Sequence, residues 1–173
     1  MLQFAPLGKD HDRATFKSGS PVLDRWFRTQ AGQESRRGVA RVMVASDDAG
    51  IAGFYTLSMF SLAFDSIPPE VSRKLPRYPE VPAALIGRLA RAERLTGKGV
   101  GELLVADALE RVLSAARSVA AFAIVVDAKD ERAAAFYRRL GFIGLPNRPH
   151  RLFMLAETAA KASRLSPQAA PRR

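Results

Sequence analysis

The amino-acid sequence predicts a mixed α/β fold in which a sheet carries helices on both faces. Residues 39–46 and 51–62 are largely apolar runs joined by Asp-Asp-Ala-Gly, which indicates two strands in a hairpin. Residues 122–126 form a short, nearly all-apolar run, typical of a buried strand. Helical patterns separate these strands. The predicted order is therefore helix, hairpin, strand, helix, strand, helix and further strands.

The first forty residues predict an edge strand and a helix. Residues 1–7 are the candidate edge strand, and the turn that follows ends with Ser20 as N-cap and Pro21 at the first helical position. Residues 30–37 are polar and basic, and either end this helix or form a loop. Four apolar side chains share one helical face and are predicted to pack in the core: Val22, Leu23, Trp26 and Phe27.

After Phe64 the composition changes to a proline-rich, basic segment. Five prolines between residues 68 and 82 lie among Arg73, Lys74 and Arg77. This pattern predicts a loop with at most one short helical turn. An irregular segment of this length is often functional.

Residues 86–101 begin as an extended apolar segment and end in a glycine-rich loop directly before an amphipathic helix. Backbone N–H groups in such a loop, together with a helix N-terminus, can bind phosphate oxygens. Lys98 and Arg94 add positive charge. The loop has glycine at alternate positions: Gly97, Gly99 and Gly101.

The spacing of this loop excludes two common phosphate-binding motifs. A nucleoside triphosphatase loop needs Ser or Thr after its Gly-Lys pair, where this chain has Gly99. A dinucleotide-binding loop needs a glycine three positions after Gly99, where this chain has Glu102. The pattern that remains is Arg94-x-x-Gly97-x-Gly99.

This pattern resembles the acetyl-coenzyme A loop of the GNAT family of N-acetyltransferases, whose backbone binds the coenzyme pyrophosphate. By that resemblance, the backbone N–H groups of Leu89 and Ala90 polarise the thioester carbonyl. A glycine-rich turn with a purely structural role is the alternative. The resemblance implies these coenzyme contacts: Leu89, Ala90, Arg94, Thr96, Gly97, Lys98, Gly99, Val100 and Gly101.

Residues 130–142 carry the second part of the resemblance, an alanine-rich helix that ends at Gly141. In the GNAT family a tyrosine four residues before this glycine lies near the coenzyme sulfur and protonates it as it leaves. The resemblance therefore makes Tyr137 the candidate catalytic acid; a core tyrosine beside Phe136 is the alternative. Many members have asparagine where this chain has Asp130, so no coenzyme contact is assigned there.

The same resemblance implies a mostly antiparallel, mixed sheet with a splayed strand pair where the coenzyme enters. The strand of residues 88–90 and the strand of residues 122–126 are the expected pair. Residues 1–160 are predicted to form a single acetyltransferase domain. Residues 161–173 are predicted to be a disordered basic tail.

The composition limits which catalytic mechanisms and which metal sites are possible. The chain has no cysteine, which rules out a cysteine nucleophile with a covalent thioester intermediate and favours direct attack in a ternary complex. His11 and His150 show no metal-ligand spacing, so no metal is predicted. Glu93 and Glu102 are close to the loop in sequence, but each is interpreted as a surface charge, and no general base stands out.

Charge and hydropathy indicate partners and location. The net charge of +10 favours a polyanion: coenzyme A, a nucleic acid or an acidic protein. The longest uncharged run, residues 49–64, is too short to span a bilayer, and no signal segment opens the chain. A cytoplasmic protein without membrane contact is therefore expected.

Several segments resemble the toxin branch of the GNAT family: residues 16–27, 52–57, 86–90, 128–131 and 136–137. Those toxins acetylate the amino group of aminoacyl-tRNA and so block translation. They pair with ribbon-helix-helix antitoxins, and the complex binds operator DNA. The substrate contacts expected from this resemblance and from charge are Arg73, Lys74, Arg77, Arg88, Arg91 and Arg138.

Two other functions stay open on sequence grounds. One is an acetyltransferase that acts on protein N-termini or on a small-molecule amine. The other is a non-catalytic basic module that binds nucleic acid. A homodimer is one assembly that the sequence allows.

Overall fold

The computed structural model describes residues 1–165. The chain divides into two compact units: Met1–Ser58 with Leu85–Ala108, and Met59–Ala84 with the described residues from Leu109 onward. In chain order the elements are β1 (Gln3–Pro6), α1 (Pro21–Thr29), α2 (Ala31–Arg36), β2 (Arg41–Asp47), β3 (Gly50–Ala63), α3 (Pro69–Ser72), β4 (Glu80–Arg91), α4 (Val100–Ala115), β5 (Ala123–Asp127), α5 (Glu131–Arg139), β6 (Ile143–Leu145), β7 (Arg148–Leu155) and α6 (Ala156–Leu165).

The first unit contains the predicted hairpin. Its strand order is β1-β2-β3-β4, and β2 is antiparallel to both β1 and β3. Asp47 lies opposite Gly50 at the hairpin turn, as the Asp-Asp-Ala-Gly signal predicted. In the core, Phe27 stacks on Phe54 with ring centroids 4.1 Å apart, and Phe16 packs edge-on against both rings.

Helix α1 starts at Pro21 with Ser20 at the N-cap position, as predicted, but the predicted core position of Val22 is wrong. The Ser20 side chain makes no cap hydrogen bond. The buried Asp24 instead accepts hydrogen bonds from the backbone N–H and the hydroxyl of Ser18, at 2.9 and 2.6 Å. Val22 is 78% exposed, because it lies in the first turn, before the face that buries Trp26 and Phe27.

The proline-rich segment is a loop with two short turns, a 3₁₀ turn at Phe64–Ser66 and the single-turn helix α3. Strand β4 begins at Glu80, six residues before the predicted start at residue 86. Proline lacks a donor but keeps its carbonyl, and the Pro82 carbonyl accepts the Phe122 N–H at 2.8 Å. The prediction, which relied on the proline content, therefore placed the start of this strand too late in the chain.

In the second unit, β5, β7 and β6 lie side by side in that order, with antiparallel pairing. Helix α5 begins at Glu131, and the carboxylate of its N-cap residue Asp130 accepts the Ala133 N–H at 2.8 Å. It ends before Gly141, whose φ of +95° is the left-handed conformation of a helix C-cap.

The predicted disordered tail is partly helical. Residues 161–165 complete α6, in which Lys161 pairs with Glu157 at 2.7 Å, one helical turn away. The alanine-rich composition of this segment also favours a helix. Residues 166–173 lie outside the described residues.

The predicted fold class, a mixed α/β fold with a mostly antiparallel sheet, is confirmed. The splayed strand pair and the single-domain boundary at residue 160 stay predictions. Within residues 1–165, none of the helices combines the length and the apolar character needed to cross a bilayer.

Candidate active site

The glycine loop lies in the first unit, between the end of β4 and the start of α4. Gly97 and Gly99 both have φ of +74°, a conformation that side chains strongly disfavour. A Cβ atom built on either glycine would meet no described atom within 4 Å. The protein therefore does not crowd these positions, and the space in front of the loop is open to a ligand.

The loop has features of an anion site. The Lys98 N–H donates to the Leu95 carbonyl at 3.2 Å, and the Thr96 hydroxyl donates to the Glu93 carbonyl at 2.6 Å, which fixes a tight turn. Helix α4 starts at Val100, so its first-turn N–H groups have no intrahelical partners. These N–H groups and the exposed Lys98 side chain can bind phosphate oxygens.

Arg94 makes a different contact from the expected one. Its guanidinium forms a two-pronged ion pair with Asp47 at the hairpin turn, with N–O distances of 2.7 and 2.8 Å. These hydrogen bonds hold the pKa of the Asp47 carboxyl below its usual value. Arg94 thus connects the glycine loop to the β2–β3 hairpin.

The backbone at Ala90, where the thioester carbonyl is expected, lies close to two other elements. A Cβ on Gly53 would lie 2.8 Å from the Ala90 carbonyl oxygen and 2.8 Å from Leu104 Cδ1. Strand β3 can therefore approach β4 and the start of α4 here only because residue 53 is glycine. Leu89 is half-buried and Ala90 is buried.

Arg88 and Arg91 also belong to the first unit. The Arg88 guanidinium lies over the Trp26 ring, 4.2 Å from its centroid, and 3.6 Å from a Glu34 carboxylate oxygen. The other Glu34 oxygen accepts the Trp26 indole N–H at 2.9 Å. Arg88 is thus held in a fixed orientation, whereas Arg91 donates a long bond of 3.4 Å to the Ala92 carbonyl.

The other predicted substrate contacts belong to the second unit. Arg73, Lys74 and Arg77 are exposed on the proline-rich loop. Arg138 is exposed on α5, but Glu131 binds its guanidinium at 2.7 Å. The three loop cations are therefore better placed than Arg138 to meet a polyanion.

Tyr137 lies on α5 in the second unit and is only 6% exposed. Its ring contacts Phe136 and Phe142 edge-on, with centroids 5.2 and 5.6 Å away. Burial, and secondarily the negative charge of Asp127, raise the pKa of Tyr137 well above the usual value of about 10. Tyr137 is therefore a neutral phenol at physiological pH.

Sequence reasoning missed a second ion pair, between Asp127 and Arg151. Asp127 ends β5 opposite Arg151 of β7, and two Arg151 nitrogens donate to its oxygens at 2.6 and 2.8 Å. The Arg151 guanidinium also lies 4.9 Å from the Phe60 ring centroid. The position of Asp127 at the end of a buried apolar strand was a signal in the sequence that could have identified this pair. The pair lines an open cleft of about 340 Å³ with Ala128, Arg148, Pro149 and His150.

Among residues 1–165, no group of three or more histidine, cysteine, aspartate or glutamate side chains could hold a metal ion.

Comparison with known proteins identifies the family of this chain. Residues 38–143 match the family described as Acetyltransferase (GNAT) domain. A tRNA-acetylating toxin of Mycobacterium tuberculosis is 36% identical over 148 residues, which cover 86% of this chain and 88% of that protein.

Two solved structures are similar in fold and sequence. One is AtaT complexed with acetyl-methionyl-tRNAfMet: its TM-score is 0.87 at 28% identity, covering 94% of this chain and 99% of that chain. The other is an AtaT mutant toxin bound to the C-terminus of the antitoxin AtaR and acetyl-CoA. Its TM-score is 0.79 at 26% identity, covering 94% of this chain and 97% of that chain.

Proposed function

Because this chain belongs to the GNAT family of acetyltransferases, we propose that it is a toxin that acetylates the α-amino group of aminoacyl-tRNA and so blocks translation. The observation that carries the proposal is similarity over almost the whole chain to a tRNA-acetylating toxin. The acetyl donor is acetyl-CoA, the coenzyme of the family. The residues proposed for the site are those that the resemblance to this family and the charge pattern imply.

The glycine loop is the proposed pyrophosphate site. Its positive-φ glycines leave open space in front of the backbone, and the start of α4 contributes N–H groups. The exposed Lys98 adds a positive charge next to this backbone. The thioester then lies along β4, where the N–H groups of Leu89 and Ala90 polarise its carbonyl.

The proposed reaction is direct attack of the amine on the thioester. The nitrogen forms a bond to the carbonyl carbon, the carbon–sulfur bond breaks, and the nitrogen loses one proton as the sulfur gains one. An α-amino group has a pKa of about 7.7–8.0, so a sizeable neutral fraction exists near pH 7 without a dedicated base. This fits an acceptor such as an esterified amino acid.

Tyr137 is the proposed donor to the leaving sulfur. A phenol, with a usual pKa of about 10, is already a weaker acid than a thiol at about 8.5, and the raised pKa of Tyr137 widens this difference. Tyr137 therefore acts mainly by donating a hydrogen bond that stabilises the thiolate as the carbon–sulfur bond breaks. The sulfur finally gains one proton, and this balances the proton that the amine loses.

The proposed tRNA contacts start with the exposed cations of the proline-rich loop, Arg73, Lys74 and Arg77. Phosphate contacts of this kind supply most of the affinity for a nucleic acid. Arg91 is a further candidate. Arg88 and Arg138 already pair with Glu34 and Glu131, so their contribution to substrate binding requires that these ion pairs be shared or exchanged.

The partners follow from the same proposal. A ribbon-helix-helix antitoxin neutralises the toxin, and the complex binds operator DNA; the antitoxin-bound state of AtaT supports the first part. Charged tRNA is found in the cytoplasm, which is therefore the proposed site of action.

The test is acetylation of charged tRNA by the purified chain. Labelled acetyl-CoA and bulk aminoacyl-tRNA are incubated with the protein, and the aminoacyl-adenosine released by nuclease digestion is analysed by mass. We expect an added acetyl group on the amino acid of at least one tRNA species. Uncharged tRNA, free amino acids and a peptide with a free N-terminus are the controls.

Acetylation of the free amine or the peptide without any product on charged tRNA would contradict the proposed acceptor and favour a general acetyltransferase. Binding of tRNA without acetyl transfer to any amine would favour a non-catalytic module instead.

A further inference from the structure

Arg94 lies at the entrance of the glycine loop, three residues before Gly97, yet its guanidinium faces the β2–β3 hairpin. Its Nη1 and Nη2 atoms donate to the two carboxylate oxygens of Asp47 at 2.8 and 2.7 Å. Nη2 also donates to the Ile51 carbonyl at 3.4 Å. A planar guanidinium with both terminal nitrogens held in this way has a defined orientation. Three of the five N–H donors of Arg94 are therefore engaged before any anion arrives.

Asp47 is itself held in place. It lies opposite Gly50 at the end of β2, and one of its carboxylate oxygens accepts the Ala49 N–H at 3.0 Å. The Arg94 hydrogen bonds are the main cause that keeps the pKa of Asp47 below its usual value. Asp47 is therefore ionised throughout the neutral pH range and remains an acceptor for Arg94.

The ion pair extends a series of contacts that fix the chain before the loop. The Ala92 N–H donates to the Ala52 carbonyl at 2.7 Å, and the Glu93 N–H donates to the Lys17 carbonyl at 2.8 Å. After Arg94, the hydrogen bonds described for the loop join residues within the loop and close local turns. Among the described residues, the side chain of Arg94 thus connects the loop to the hairpin, through the ion pair with Asp47 and the longer bond to the Ile51 carbonyl.

We propose that Asp47 is a positioning residue for coenzyme binding. It holds Arg94, and thereby the loop of residues 96–99, in the conformation that receives the pyrophosphate. The phosphate contacts come from the loop backbone and Lys98, not from the Arg94 guanidinium. This inference rests on the proposed assignment of the glycine loop to acetyl-CoA.

The two possible roles of Arg94 predict opposite effects for Asp47→Asn. If Arg94 bound phosphate, removal of the Asp47 charge would release its guanidinium, and the anionic coenzyme would bind more tightly. If Arg94 positions the loop, the substitution loosens it, and the coenzyme binds more weakly. We expect the dissociation constant to rise about fivefold, the upper end of what an exposed ion pair contributes.

The experiment measures acetyl-CoA binding by calorimetry and steady-state kinetics for three variants. Asp48→Asn is the matched control, because it removes the same charge from the same turn at an exposed position. Arg94→Lys keeps the positive charge but loses the planar fork. We expect Asp47→Asn and Arg94→Lys to raise the dissociation constant and the KM for acetyl-CoA without changing kcat. Asp48→Asn should bind as wild type or slightly more tightly.

The inference is overturned if Asp47→Asn binds acetyl-CoA as tightly as Asp48→Asn, or more tightly. Should Asp47→Asn fail to fold, Arg94→Lys decides: wild-type affinity would show that only the charge of Arg94 matters.

A fourth variant, Gly99→Val, separates this inference from the loop assignment. Wild-type coenzyme affinity in folded Gly99→Val would remove the assignment and the inference together. Weakened binding in Gly99→Val with normal binding in Asp47→Asn would remove the inference alone.

Discussion

At the scale of single residues, the environment of Tyr137 determines what its hydroxyl can do. The side chain is almost fully buried, with Asp127 as the neighbouring negative charge, and both effects disfavour the phenolate. The phenol stays protonated wherever acetyl transfer is feasible. Its protonation therefore does not limit the rate at any pH near neutrality.

The first residue-scale prediction is that Tyr137→Phe lowers kcat about 10²–10³-fold, the usual contribution of one hydrogen bond to negative charge that develops in the transition state. The ring stays, so the packing against Phe136 and Phe142 and the dissociation constant of acetyl-CoA should not change. Tyr78→Phe is the matched control, because Tyr78 is exposed. A wild-type kcat in Tyr137→Phe would make Tyr137 a packing residue.

The raised pKa of Tyr137 also predicts how stability depends on pH. The folded state holds the phenolic proton more tightly than the unfolded state, where the pKa is about 10. This contribution to the free energy of unfolding is complete below pH 10 and is lost as the pH rises further. Denaturant unfolding at pH 9 and pH 11 should therefore show a smaller pH-dependent loss for Tyr137→Phe than for wild type. An equal loss in both proteins would contradict the raised pKa.

The sequence could predict residues whose role depends on local backbone, and it failed where the partner is distant. The positive φ of Gly97 and Gly99 belongs to the loop itself, and the motif was sufficient to find it. Asp47 is 47 positions from Arg94, and Asp127 is 24 positions from Arg151. These pairs depend on strand register and hairpin placement, which a single sequence does not specify.

At the scale of elements, the close approach of β3 to β4 and to the start of α4 depends on Gly53. An added Cβ would lie 2.8 Å from the Ala90 carbonyl oxygen and 3.3 Å from the Arg91 Cα, both backbone atoms that cannot move independently. Shifting them would displace the segment that leads into the glycine loop. Packing at this point thus connects stability with the candidate coenzyme site.

We therefore predict that Gly53→Ala lowers the free energy of unfolding by about 1–3 kcal/mol, the usual cost of overpacking. Gly144→Ala is the control: its Cβ would lie 3.7 Å from the nearest atom, an ordinary contact, and we expect a change within about 0.5 kcal/mol. Urea unfolding midpoints give both values. A Gly53→Ala midpoint equal to that of wild type would mean that the strands separate without cost.

Elements with a strong local signal were predicted from the sequence, and elements stabilised by tertiary contacts were not. The hairpin and α5 follow from turn residues, caps and periodicity. The early start of β4 depends on hydrogen bonds such as that from the Phe122 N–H to the Pro82 carbonyl. The alanines of α6 favour a helix, but the prediction followed the composition of the whole C-terminal segment, which is typical of a disordered tail.

At the scale of the whole molecule, the net charge of +10 creates a field that attracts polyanions. Charge restricts the class of partner without identifying it, and only a resemblance to relatives suggested tRNA. Salt dependence separates the candidates physically. A tRNA acceptor releases counterions wherever Lys and Arg neutralise its phosphates, whereas a small amine does not.

The last prediction is that replacing Arg73, Lys74 and Arg77 together with alanine raises the KM for charged tRNA and flattens its salt dependence. Each lost phosphate contact lowers the slope of log affinity against log salt by about 0.7–0.9, so three contacts lower it by about two to three. The affinity for acetyl-CoA, which is assigned to the other unit, should not change. The control replaces three exposed cations elsewhere: Lys9, Arg25 and Arg117. If both triple variants change the salt slope equally, general charge and not this loop binds the tRNA.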